Sequence, residues 1–302
     1  MARFKRHGFA DHAFYTIITL YLLVALLAVV IPLLNVLSSS VSSPTAVVTG
    51  KVTVFPRDLF LGGYTAVLES REVGQGYINS IIYTALGTVF ALVLTSIAGY
   101  VLSRMDLWGR SLFAFLFLLP MLFQGGIIPT YLLMKNLGIL DTRLVMILHA
   151  AINPYYVLIA VSYFRNQIPS EILDASRIDG ASNIQFLVRV VVPLSKPILA
   201  VITLWVGVQH WNNYFAPLMF LKSNDLFPLT IVLRNMISNY QLSADEIASI
   251  AQIEAEEASE LMGLTEVMKY SLIVVGSLPM IALYPFVQKH FVKGVTVGSL
   301  KG

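Results

Sequence analysis

The sequence predicts an all-α, polytopic membrane protein with six transmembrane helices. Two observations carry that expectation. Of 302 residues, 57% are apolar or aromatic and only 12% are charged, with a mean hydropathy of +0.75, far from the balance of a soluble domain. The apolar residues also gather into six runs, 14–37, 78–103, 111–134, 144–164, 198–221 and 270–288, none of which contains Asp, Glu, Lys or Arg. A bilayer core of about 30 Å takes roughly 20 helical residues per crossing. Backbone groups cannot go unpaired in lipid, and runs this long and continuous fit helices rather than the short alternating strands of a barrel.

The first run follows Arg3, Lys5 and Arg6, a beginning shared with signal peptides. At about 24 residues it is too long for a typical signal-peptide core, so a retained span is expected. The second run, 78–103, is continuous. The third is interrupted at Pro120 and at Gly125-Gly126-Ile127-Ile128-Pro129, and the fourth at Asn153-Pro154-Tyr155-Tyr156. Helices broken at membrane depth are tolerated where they line a cavity. The fifth carries Gln209, His210, Trp211, Asn212, Asn213 and Tyr214, a cluster that should not face lipid. An acidic loop, 222–269, long enough to form helices of its own, leads to the sixth.

Charge fixes the expected orientation. With the N-terminus inside, the inner segments hold twelve basic and five acidic residues and the outer segments eight basic and twelve acidic. The positive-inside rule then favours N-in and C-in. The basic balance reflects topology, and nucleic-acid binding gains no support from it. There are no cysteines, so disulfides and thiol chemistry are excluded.

On this topology 166–197 faces the cytoplasm, and 222–269 the outside. Ser170 is the expected N-cap of a short helix, with Glu171 and Asp174 in its first turn beside the positive dipole end. Gly180 permits a left-handed cap and a sharp turn. From Asn183 a second helix places Ile184, Phe186, Leu187, Val190 and Val191 on one face, until Pro193 and Pro197 lead into the fifth span. A solvated loop needs no apolar face, tight glycine turn or proline pair. The arrangement suits docking into a groove on a soluble partner.

Here a resemblance becomes specific. Asp174-Ala175-Ser176, Gly180, Val190, Val192 and Pro193 fall at the spacing of the EAA loop of ABC importer permeases: E-A-A, three residues, G, nine residues, I, one residue, L-P. The departures are Asp for Glu, Ser for Ala, and Val for Ile and Leu. The blocks FQGGIIPTYLLMKNLGILDT, WNNYFAPLMFL and YPFVQKHFVKGVTVGSLKG are similar to those of carbohydrate-uptake permeases, the maltose-type second subunit and, more closely, the branch for oligosaccharides and polysaccharides such as alginate. The resemblance implies a type I importer fold in the bacterial inner membrane. It implies a coupling segment whose Glu171, Asp174, Ala175, Ser176, Arg177, Asp179 and Gly180 dock an ATPase subunit, and a tail whose Lys301 and Gly302 reach the ATPase interface. The implied partners are a second homologous permease, two ATPase subunits carrying ATP and Mg, and an extracytoplasmic solute-binding protein, with no cofactor in this chain.

A sugar would be met by aromatic faces for stacking and by amides for hydroxyls. The candidates for its path are Asn153, Tyr156, Gln209, Trp211, Asn212 and Asn213, although such amides also serve as glue between helices. His149 and His210 are expected to be packed rather than to relay protons. Glu254, Glu256, Glu257 and Glu260 read as the solvated face of an outer helix, with no metal site. No G-x-x-x-x-G-K-S/T loop occurs in the sequence, so nucleotide must be handled by another subunit. The alternative, an ion-coupled secondary transporter of a small polar solute, commonly needs an intramembrane carboxylate, which the six runs lack. An enzyme would need a nucleophile with its base or a metal cluster, and neither pattern is present.

Overall fold

The computed structural model describes residues 9–123, 125–249 and 263–282. The described residues are helical apart from their connections, with a single isolated antiparallel bridge between Ser42 and Leu59. The chain falls into two compact units, Met1–Ser70 with Asn235–Ser277, and Arg71–Arg234 with Leu278–Gly302.

The first unit begins with α1 (Phe9–Ser40), a 32-residue helix that carries Pro32 and ends in three serines. These serines hold the following loop: the Ser38 hydroxyl donates to the Val54 carbonyl at 2.6 Å and the hydroxyls of Ser40 and Tyr64 are bonded at 2.7 Å. Two short helices follow, α2 (Pro44–Val48) and α3 (Gly62–Glu69). Later in the chain, α14 (Leu229–Ser249) enters this unit, as does α15 (Gly263–Ala282). The Ser271 hydroxyl of α15 donates to the Ser40 carbonyl of α1 at 3.3 Å.

The second unit is organised on α4 (Arg71–Ser103). Packed along it are α8 (Pro154–Gln167) and α12 (Lys196–Trp211), around a core that includes Tyr100, Tyr156, Phe164, Ile202 and Val206. Small residues set how closely these helices approach, as is common in membrane bundles. A Cβ on Gly87 would stand 2.5 Å from the His210 ring of α12, and one on Gly99 would stand 2.8 Å from Ala160 of α8.

The expected interruptions have definite forms. The third run is α5 (Arg110–Leu122) and α6 (Ile127–Asn136), bent by 116°. The fourth is α7 (Arg143–Leu148) and α8, parted at 149–153, where Pro154 opens α8 and the Asn153 side chain accepts the Tyr155 N–H at 3.0 Å. The fifth also breaks, at Asn212, before α13 (Phe215–Phe220). On the loop after α6, Asp141 accepts the backbone N–H groups of Lys222 and Ser223 and the Ser223 hydroxyl at 2.6–2.9 Å. Those bonds, the Ser223 hydroxyl first, hold the Asp141 carboxyl below the usual carboxylate range.

By length and composition Asp11–Ser40, Arg71–Ser103 and Gly263–Ala282 can each cross a bilayer, and two bent pairs reach span length together: α5 with α6, and Asn183–Leu194 with α12, the latter bent by 84°. Residues 283–288 of the sixth expected span lie outside the described residues, as do Arg3, Lys5, Arg6 and the C-terminal tail.

Candidate functional site

The second unit contains two features that bear on function. The first is a cavity of about 910 Å³ where the broken helices meet, bounded by Pro120 of α5, the 149–153 break and the end of α12. Each break spends a Pro or Asn where a straight helix would fill the space, and polar groups then line it. Asn153, Tyr156, Gln209, Asn212 and Asn213 all contribute, joined by Tyr155, His149 and His210. Among the described residues that line it there is no Asp, Glu, Lys or Arg.

These side chains are not equivalent. Asn213 is committed to the protein: its Nδ2 donates to His149 Nε2 at 3.0 Å and its Oδ1 accepts the Ala216 N–H at 3.2 Å. His149 Nδ1 lies 3.2 Å from the Val145 carbonyl, so a neutral ring protonated at Nδ1 satisfies both bonds. Gln209 and Asn212 keep their side chains exposed toward the space. Tyr156 is buried and stacks on Trp205, with ring centroids 5.7 Å apart and planes 25° apart, while Tyr155 is half exposed beside the same indole.

Trp211 is where the expectation fails. It is 6% exposed and faces Tyr77 at 6.1 Å, away from the cavity. Two helical steps from Gln209 turn a side chain by about 200°, which takes it to the opposite face. The aromatic groups that line the cavity beside the amides are instead Tyr155, Tyr156, Tyr214 and Phe215, with Trp205 packed against the first two; of these, the sequence candidates include Tyr156 alone. The two histidines pack as expected, edge to face at 6.3 Å.

The second feature is an elbow. Its first arm is α9 (Ser170–Ile178), closed by a left-handed Gly180 at φ +75°. The Ala181 N–H reaches the Ser176 carbonyl at 2.9 Å and the Gly180 N–H the Arg177 carbonyl at 3.0 Å, the paired bonds of a Schellman cap. The second arm starts with a capping box, in which Ser182 Oγ accepts the Gln185 N–H and Gln185 Oε1 accepts the Ser182 N–H. It runs through α10 (Asn183–Phe186), a π turn at Leu187–Val191 and α11 (Val192–Leu194) into α12.

Two expectations are corrected here. Ser170 does not cap α9; it is the first helical residue, and the cap position belongs to Pro169, whose extended ψ of 144° turns the chain into the helix. The apolar face of the second arm does not point outward as a whole. Phe186, Leu187 and Val191 are buried against Tyr100 and Phe164 of the bundle, and Val190 is half-buried. Outward-facing apolar residues flank the glycine turn instead: Ile178 is 88% exposed and Ile184 74%.

Glu171, Asp174, Asp179 and Gly180 are exposed on this elbow, while Ala175 is exposed and Ser176 half-buried. Arg177 forms ion pairs with Asp174 at 3.8 Å and with Asp106. Asp106, on the loop between α4 and α5, is bound in addition by Arg104. The hydrogen bonds from Arg104, then from Arg177, hold the Asp106 carboxyl well below the usual range, and the bond to Asp106 in turn raises the Arg104 guanidinium above its own. Lys301 and Gly302 lie outside the described residues.

A helical bundle with an amide-lined cavity between broken helices and a capped elbow is the build of an ABC type I transport permease. The chain belongs to the family described as the binding-protein-dependent transport system inner membrane component, matched over residues 91–297. It is therefore a multi-pass inner-membrane protein. It is 33% identical over 285 residues to the polygalacturonan/rhamnogalacturonan transport system permease protein YtcP of Bacillus subtilis (strain 168), covering 93% of this chain and 96% of that one. It is 30% identical to the arabinooligosaccharides transport system permease protein AraQ of Halalkalibacterium halodurans, over 90% of this chain and 91% of the relative. Among solved structures, a bacterial ABC transporter involved in the import of the acidic polysaccharide alginate contains a chain similar to this one, with a TM-score of 0.84 and 31% identity, covering 96% of this chain and all of that one.

Proposed function

We propose that this chain is one half of the translocation path of an ATP-driven carbohydrate importer, taking an oligosaccharide or polysaccharide. It spans the membrane six times with both ends in the cytoplasm, pairs with a second permease, receives solute from an extracytoplasmic binding protein, and is driven by two ATPase subunits that hold ATP and Mg. The single observation that supports this reading most is the cavity. Its lining offers amides, tyrosines and two histidines, with no Asp, Glu, Lys or Arg among the described residues, which matches the hydroxyls and apolar ring faces of a sugar. The relatives named for polygalacturonan, arabinooligosaccharides and alginate support the same substrate class. ATP binding would close the ATPase pair, and the elbow would convert that closure into rocking of the bundle.

The test is uptake into proteoliposomes holding the whole assembly, with an oligogalacturonide, an alginate oligosaccharide and an arabino-oligosaccharide as separate probes. ATP-dependent accumulation of at least one is expected. The double variant Gln209→Ala, Asn212→Ala is expected to lower that uptake about tenfold, as two lost hydrogen bonds of ordinary strength would, while the assembly still forms. Uptake of none of these sugars, or uptake unchanged in the double variant, overturns the assignment of the cavity.

A further inference from the structure

Arg104 stands at the point where three parts of the second unit meet. It follows the last residue of α4, and its side chain is only 13% exposed. Nε and one terminal nitrogen grip the Asp106 carboxylate at 2.9 and 2.7 Å, while the other terminal nitrogen reaches the Tyr100 hydroxyl at 2.6 Å and Asn183 Oδ1 at 3.1 Å. The guanidinium also lies 5.5 Å from the centre of the Tyr100 ring. Asp106 Oδ2 is shared, because Arg177 of α9 binds the same oxygen. One guanidinium is thus tied to the second arm of the elbow through Asn183 and to the first arm through Asp106 and Arg177.

The two arms differ in how they are otherwise held. The second arm is rooted in the core by Phe186, Leu187 and Val191. No residue of α9 is buried, and of its apolar residues Leu173 packs partly against that core. An isolated exposed ion pair contributes little. A planar fork, bidentate on a carboxylate that a second guanidinium also binds, fixes direction as well as distance.

We infer that Arg104, Asp106 and Arg177 form an ionic clamp that makes α9 move as one body with the cytoplasmic end of α4, so that displacement of the elbow is transmitted to the helix lining the cavity. The clamp rests on the proposed coupling role of the elbow. Asp106 is its keystone, since removing that charge leaves Arg104 and Arg177 facing each other as like charges.

The experiment uses the reconstituted assembly and reads sugar transported per ATP hydrolysed, together with co-purification of the ATPase subunits. Asp106→Asn is expected to keep the ATPase subunits bound and hydrolysing while transport per ATP falls about tenfold, the size of an ordinary coupling free energy. Asp106→Glu, which keeps a carboxylate for the two guanidinium groups to share, supplies the control. That variant is expected to retain most of the transport per ATP that Asp106→Asn loses. Wild-type transport per ATP in Asp106→Asn overturns the clamp, and so does loss of the ATPase subunits, which would make the contact a docking one. Absence of ATPase subunits from the wild-type assembly would instead refute the coupling reading itself.

Discussion

Gly180→Val is expected to reduce uptake roughly thirtyfold or more while leaving membrane insertion and the helical content of the protein unchanged. The residue sits at φ +75° with open space where a Cβ would go, so the damage is conformational rather than steric. A left-handed residue with a side chain costs about 1–2 kcal/mol, and a β-branched one is a stronger outlier. Relief of that strain breaks the two Schellman bonds at Gly180 and Ala181 and re-aims Ile178 and Ile184, the apolar residues that flank the turn. Gly180→Asn supplies the control, because Asn tolerates the left-handed region. It should retain most of the uptake, and equal loss in Val and Asn would show that something other than backbone geometry is required.

The second large effect lies between α4 and α12. Gly87→Ala places a methyl group 2.5–2.9 Å from three atoms of the His210 imidazole. That ring is buried and packed edge-on to His149, so it cannot retreat without breaking the wall of the cavity. Overpacking of this kind costs about 1–3 kcal/mol, seen as a lower unfolding midpoint in detergent and as weaker uptake. Gly87→Ala combined with His210→Ala should recover much of the stability lost by Gly87→Ala alone, since the second change removes the clashing ring. Strict additivity of the two would refute the contact.

These two glycines also show what was legible in the sequence. Gly180 announced itself because a glycine two residues past the end of a short helix has a local meaning. Gly87 did not, since its partner lies more than a hundred residues away. The helical class and the existence of breaks in the third and fourth runs followed from uncharged stretches punctuated by Pro and Gly, which are local facts, although the helices resume already at Ile127 and Pro154. The Ser182 and Gln185 capping box was equally local and was overlooked. Other features depend on tertiary packing: the inward turn of Phe186, Leu187 and Val191, the rotation of Trp211 away from the cavity toward Tyr77, and the choice of Pro169 over Ser170 at the cap. The bonds from Asn213 to His149 and from Asp106 to Arg177 span 64 and 71 residues, and no spacing rule reaches that far.

The central claim is that the elbow is a force-bearing contact with a separate ATPase. A single cysteine at Ile178, introduced into this cysteine-free chain, tests it within the full assembly. Crosslinking from that position with a short bifunctional reagent should capture the ATPase subunit in high yield, and ATPase binding should protect the thiol from a water-soluble alkylating reagent. A thiol that alkylates at the same rate with and without the ATPase, and crosslinks to nothing, would contradict the account.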